Sequence, residues 1–168
     1  MNVKLIKAMQ RCCAAADGGR LGQPTLVHGE LCATDKIVAV RYRESNWDRD
    51  QMPRVPWQLW AHEIEVEGIK PSTEIGVSPE GFVIPKGKSH GYPDHEYPDL
   101  ANLWETLLRN PNDWQLDYDP KQVRRVLAVF EAAGANVSFR DTGSVLHMRG
   151  WNNKTLASVE ALVSGCRR

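Results

Sequence analysis

From Val3 to Ala16 apolar residues recur at spacings of three and four, with Leu5, Ile6, Met9, Cys12, Cys13 and Ala16 forming one stripe. That period predicts an amphipathic helix, ended by Asp17-Gly18-Gly19. Lys4, Lys7 and Arg11 fall on the opposite side with no acid among them. The period then drops to two. TLVHGELCA and KIVAVRYR read as two strands joined at Thr34-Asp35, the second with Val38, Val40 and Tyr42 on one face and Arg41 and Arg43 on the other. Glu44 to Pro56 reads as a mobile loop. HEIEVEGI alternates, so Ile64 and Val66 face inward and Glu63, Glu65 and Glu67 outward in a further strand. Ile75 and Val77, then Phe82 and Ile84, form a second hairpin turning at Pro79-Glu80-Gly81.

Pro85 to Pro98 reads as loop, and Leu100, Leu103, Trp104, Leu107 and Leu108 make a short helix from an Asp99 N-cap, stopped before Pro111. WQLDY is a strand. Asp119-Pro120 then opens a helix running to about Ala133, with Val123, Val126, Leu127 and Phe130 on its apolar side and Lys121, Arg124 and Arg125 on the other; Gly134 closes it. ANVSF and SVLHMRG follow as strands around Asp141-Thr142-Gly143, and LASVEALVS reads as strand or helix. The order of elements is thus repeated: one domain over residues 1–168, with a first half to about residue 85, a linker over about 86–113 and a second half from about 114.

At 168 residues the chain is long enough to bury a core without disulfide staples, and 42% hydrophobic with 25% charged residues is an ordinary globular composition. No apolar run reaches the roughly 20 residues of a membrane span, and the start lacks a signal-peptide stretch, so a cytoplasmic location is expected. Cys12, Cys13, Cys32 and Cys166 form no C-x-x-C pair and are expected as free thiols. Charge changes the picture more. Net charge is zero, yet the two long helices carry six basic residues and one acid, which leaves the remainder at 15 basic and 20 acidic. Placed side by side, the helices would form a positive platform suited to phosphates rather than base edges.

Three stretches resemble a known family. LIKAMQRCCAA with PTLVHGELCATDKIVAVRY, then HEYPDLANLW, then YDPKQVRRVLAVF with NVSFRDTGSVLHMRG, are similar in order and kind to DNA sliding clamps of the bacterial polymerase III beta-subunit type. The resemblance covers about two thirds of the chain. It implies an α+β, DNA-clamp-like domain of two βαβββ halves, with two long helices on one face of antiparallel sheet. It also implies that Lys4, Lys7, Arg11, Lys121, Arg124 and Arg125 face duplex DNA. Known clamp subunits carry two or three such domains and this chain has length for one, so a ring would need self-assembly. The function that follows is a non-catalytic clamp-like protein that contacts duplex DNA without sequence specificity. It would serve as an accessory to or regulator of DNA replication, with a DNA polymerase or other replication protein as partner and no cofactor.

Two other constellations compete. His90, Asp94, His95, Glu96 and Asp99 gather in one Pro-interrupted loop without the rigid spacing of a metal site, and the chain has neither a Walker-type loop nor G-x-S-x-G, so no enzyme activity is expected. Gln58-Leu59-Trp60 and Gln115-Leu116 are similar to the Gln-Leu peptides that grip a clamp. Trp57, Leu59 and Trp60 are therefore candidate partner-binding residues of an interaction module that binds a clamp or polymerase.

Overall fold

A computed structural model describes residues 1–14, 21–47, 52, 55–59, 64, 68–84, 88–90, 92–93, 97–98, 100–109 and 116–167. The protein is α+β. The first helix, α1 (Val3–Gln10), starts where Asn2 Oδ1 accepts the amide of Leu5 at 2.9 Å. It ends sooner than its apolar stripe implies, the chain leaving the helix in a turn at Arg11 and Cys12 and a bend at Cys13, with both cysteines still buried.

Three strands follow, β1 (Thr25–Val27), β2 (Glu30–Thr34) and β3 (Val38–Glu44), where the sequence reading placed two. His28 and Gly29 both take left-handed backbone, φ 49° and 79°, and close a two-residue hairpin between Val27 and Glu30. A single long strand is thereby folded on itself. β4 (Trp57–Gln58) pairs with β1 and with β8 (Tyr92–Pro93). A separate three-stranded sheet consists of β5 (Gly76–Ser78), β6 (Gly81–Ile84) and β7 (Lys88–His90).

The helix α2 (Leu100–Arg109) and β9 (Leu116–Asp117) precede α3 (Pro120–Ala133). Asp119 caps α3, its Oδ1 accepting the Lys121 amide at 2.8 Å, with Pro120 in the first turn. Gly134, at φ 63°, closes it in the left-handed conformation that a side chain resists. β10 (Ser138–Asp141), β11 (Val145–Asn152) and β12 (Ala157–Ser164) then form a meander, and β13 (Cys166–Arg167) returns to β9. LASVEALVS is therefore strand.

The main sheet is antiparallel throughout, in the order β10-β11-β12-β3-β2-β1-β4-β8. α1 and α3 are each followed by a three-stranded meander, and the two meanders join at their centre through β3 and β12, Val40 opposite Ala161. Both helices bury their stripes in one core: Leu5, Ile6 and Met9 from α1 and Val126, Val129 and Phe130 from α3 meet Leu31, Val40, Tyr42, Met148 and Val159 from the sheet. α2 lies on the other face. Its Leu100 and Trp104 pack with Cys32, Ala39, Val145 and Leu162, the alternate residues of the same strands.

Three expectations need correction or lie elsewhere. The supposedly mobile stretch after Glu44 contributes Trp47 and Met52 to the core. Ile64 is buried with helical rather than strand backbone, Gly68 (φ 67°) and Ile69 belong to no strand, and the rest of the expected 62–69 strand lies outside the described residues, as do Asp99 and the Trp114-Gln115 part of WQLDY. Among the described residues no helix is long and apolar enough to cross a membrane.

Candidate nucleic-acid interface

α1 and α3 touch along their lengths. Lys4 Nζ lies 3.6 Å from Glu131 Oε1, joining the start of α1 to the end of α3, and Arg125 Nε donates to the Arg11 carbonyl at 2.7 Å, joining the end of α1 to the first half of α3. The helices are thus antiparallel neighbours on one sheet face. Their stripes are spent on the core, so the sides carrying the bases turn outward. Lys4, Arg11, Lys121 and Arg124 are exposed and Lys7 is half-buried. The Lys4–Glu131 contact involves two solvated side chains, 59% and 78% exposed, and holds Lys4 only weakly.

Arg125 differs from the other five. Its guanidinium sits 2.7 Å from Asp35 Oδ2, with both side chains mostly covered, and it also contacts Gln122. With its Nε on the Arg11 carbonyl, it clamps α3 to the end of α1 and to the β2–β3 turn. Arg125 is therefore a brace beneath the cationic surface rather than part of it. The sequence pattern, which sees only spacing, cannot separate it from Arg124.

Three of the four thiols are closed off, Cys12 and Cys13 below the platform and Cys32 on the α2 side of the sheet. Burial pushes the Cys12 thiol up to about 12 against the lowering effect of Arg125, and burial likewise raises Cys13 and Cys32. Cys166 is the exposed thiol among four free cysteines.

The opposite face holds a polar hub that sequence reasoning missed. Arg41 donates through Nε to Glu160 Oε2 at 2.8 Å and through a second nitrogen to the same oxygen. His147 Nε2 lies 2.5 Å from Glu160 Oε1, Arg149 Nε 3.6 Å from it, and Glu30 Oε2 3.5 Å from Arg41. The Arg41 guanidinium also stacks over Trp104 of α2 at 4.8 Å. Although partial burial pushes the Glu160 carboxyl up, the hydrogen bonds and charges of Arg41 and His147 hold it below the usual range. Residues 41 and 160 occupy polar positions of alternating strands, but only the β3–β12 register places them opposite each other.

No protein-family model and no curated protein matches the chain. The remaining site expectations rest on placement alone. Leu59, a candidate partner contact, has no exposure at all, and its amide donates to the Pro24 carbonyl at 2.8 Å, so it is a core residue instead. Trp57 is half-buried in β4 and packs against the same core. Trp60 lies outside the described residues. Of the acidic and histidine loop, His90 belongs to β7, while Asp94, His95, Glu96 and Asp99 lie outside the described residues. Among the described residues no cluster of three His, Cys, Asp or Glu is placed to hold a metal ion.

Proposed function

We propose that the protein is a sliding-clamp-like, non-catalytic DNA-binding domain that holds duplex DNA without sequence preference and acts as an accessory to or regulator of replication. The observation that carries this reading is the antiparallel α1–α3 pair on one sheet face, with Lys4, Lys7, Arg11, Lys121 and Arg124 turned away from the core. Such a surface presents cations at the spacing of helical turns, which suits contact with phosphates. The twofold helix-then-meander order, joined at β3 and β12, supports two related halves of the kind the clamp resemblance implies. Partner binding through Trp57, Leu59 and Trp60 loses support because Leu59 is enclosed.

One surface of this size would release DNA readily, so residence on DNA requires several copies or a protein partner. The test is duplex binding by the full chain over a range of salt, with Lys121→Glu and Arg124→Glu combined. The wild type should bind unrelated duplexes alike, and the double variant should lose most of that affinity. Equal binding by both would remove the platform as the DNA surface and end this reading.

A further inference from the structure

We propose that the sheet face turned away from α1 and α3 carries a second site, for a nucleotide: a base stacked on Trp151 with its phosphate between Arg43 and Arg149. The strand register builds the site. Trp151 pairs with Ser158 and Ser158 with Arg43, so the indole and the guanidinium stand on either side of the short Ser158 side chain, about 10 Å apart across β12. One step along the strands, Arg149 pairs with Glu160 and Glu160 with Arg41. A cavity of about 610 Å³ opens here, its lining including Trp151 and, as its charged groups, Arg41, Arg43 and Arg149 with Glu30 and Glu160, so that three arginines face two carboxylates. That volume is of small-ligand scale.

Charge and exposure select the ligand. Glu160 already accepts hydrogen bonds from Arg41 and is within hydrogen-bond distance of His147, whereas Arg149 reaches it only at 3.6 Å and remains 71% exposed. Arg43 makes no side-chain hydrogen bond or ion pair among the described residues, although it is half-buried. Two arginines with spare planar donors are suited to a phosphate. Trp151, next to the last residue of β11, is 41% exposed, which leaves indole surface on which a flat ring can stack. An acidic peptide would satisfy the arginines but leave the indole unused. The shared chemistry of base and phosphate has two sources, a free mononucleotide and the end of a single strand.

The full chain is titrated with deoxyadenosine monophosphate and, separately, with a short 5′-phosphorylated oligothymidylate, following the Trp151 indole N–H signal by NMR and affinity by calorimetry. Both probes should move that signal. Preferential binding of the mononucleotide identifies the free ligand, and preferential binding of the oligonucleotide identifies a strand end. Trp151→Ala should weaken binding about tenfold or more, as loss of one stacked base does, and the paired Arg43→Ala and Arg149→Ala variant should weaken it at least as much. Trp151→Ala should leave duplex binding unchanged, which separates this site from the helix platform. Circular dichroism keeps the test valid, because folded variants that bind as wild type overturn the proposal. So does absence of binding by either probe, loss of nucleotide binding in Lys121→Glu with Arg124→Glu, or a hexaglutamate peptide that binds the wild type and Trp151→Ala equally.

Discussion

Glu160 is the residue on which most polar contacts of the outer sheet face converge, and its chemistry makes stability depend on pH. A carboxyl held below its ordinary value of 4.5 by Arg41 and His147 adds stability above that value and loses it as pH falls through the lower folded one. Glu160→Gln removes the charge and leaves Arg41 half-covered beside a neutral amide, a loss of about 2–3 kcal/mol near neutrality by analogy with other broken, partly buried pairs. Thermal midpoints measured from neutral pH down through 4 should show the wild type falling more steeply than the variant, with the two converging in acid. The thiols yield a second residue-scale expectation. Burial keeps Cys12, Cys13 and Cys32 both covered and protonated, so Ellman's reagent should titrate Cys166 in the native protein and all four cysteines in denaturant.

At the scale of elements, the contact between α3 and β11 depends on the absence of a side chain at Gly150. A Cβ built there would run into the Asn136 carbonyl and the Phe130 ring, and backbone cannot step aside as a flexible side chain can. Asn152 reinforces the same contact, its Nδ2 donating to the Ala133 carbonyl at 2.6 Å. Gly150→Ala should therefore destabilise the fold by about 2–3 kcal/mol, at the upper end of overpacking costs, as read from chemical denaturation. By contrast α2 is joined to the sheet by a small second core around Trp104, with the Arg41 guanidinium over its ring. Its Trp104 and Leu100 are buried while Leu103 is 39% exposed, so its apolar stripe is only partly used.

For the whole molecule, two faces of one sheet carry different chemistry. The helix side presents the cations and the opposite side carries the Glu160 hub and the Trp151 cavity. Arg124 and Arg125, adjacent in the chain, should separate in experiment. Arg124→Ala should lower the slope of log duplex affinity against log salt by about 0.9, the value of one lost phosphate contact, with little change in stability. Arg125→Ala should instead reduce stability by about 1–2 kcal/mol through loss of its Asp35 and Arg11 contacts. The native mass by light scattering bears on residence. An assembly of several copies fits encirclement of DNA, whereas a monomer leaves retention to a protein partner.

Periodicity determined that α1 and α3 exist, because each stripe repeats every three to four residues, and Asp119-Pro120 and Gly134 mark the ends of α3 by local chemistry, whereas the end of α1 at Gln10 was not legible in its stripe. It also determined which face of β3 is apolar, since strand side chains alternate whatever the partner. The split of TLVHGELCA was not legible, because His28 can join a strand or take left-handed backbone, and only pairing of β1 with β2 rewards the latter. Leu59 and Trp57 read alike in sequence as surface candidates, yet burial is a property of what folds over a residue. The pairing of Arg41 with Glu160, the assignment of Arg125 to Asp35, and the slot between Trp151 and Arg43 all join residues remote in the chain. Those were decided by strand register and helix packing, which place charges from distant segments within a few ångströms of one another.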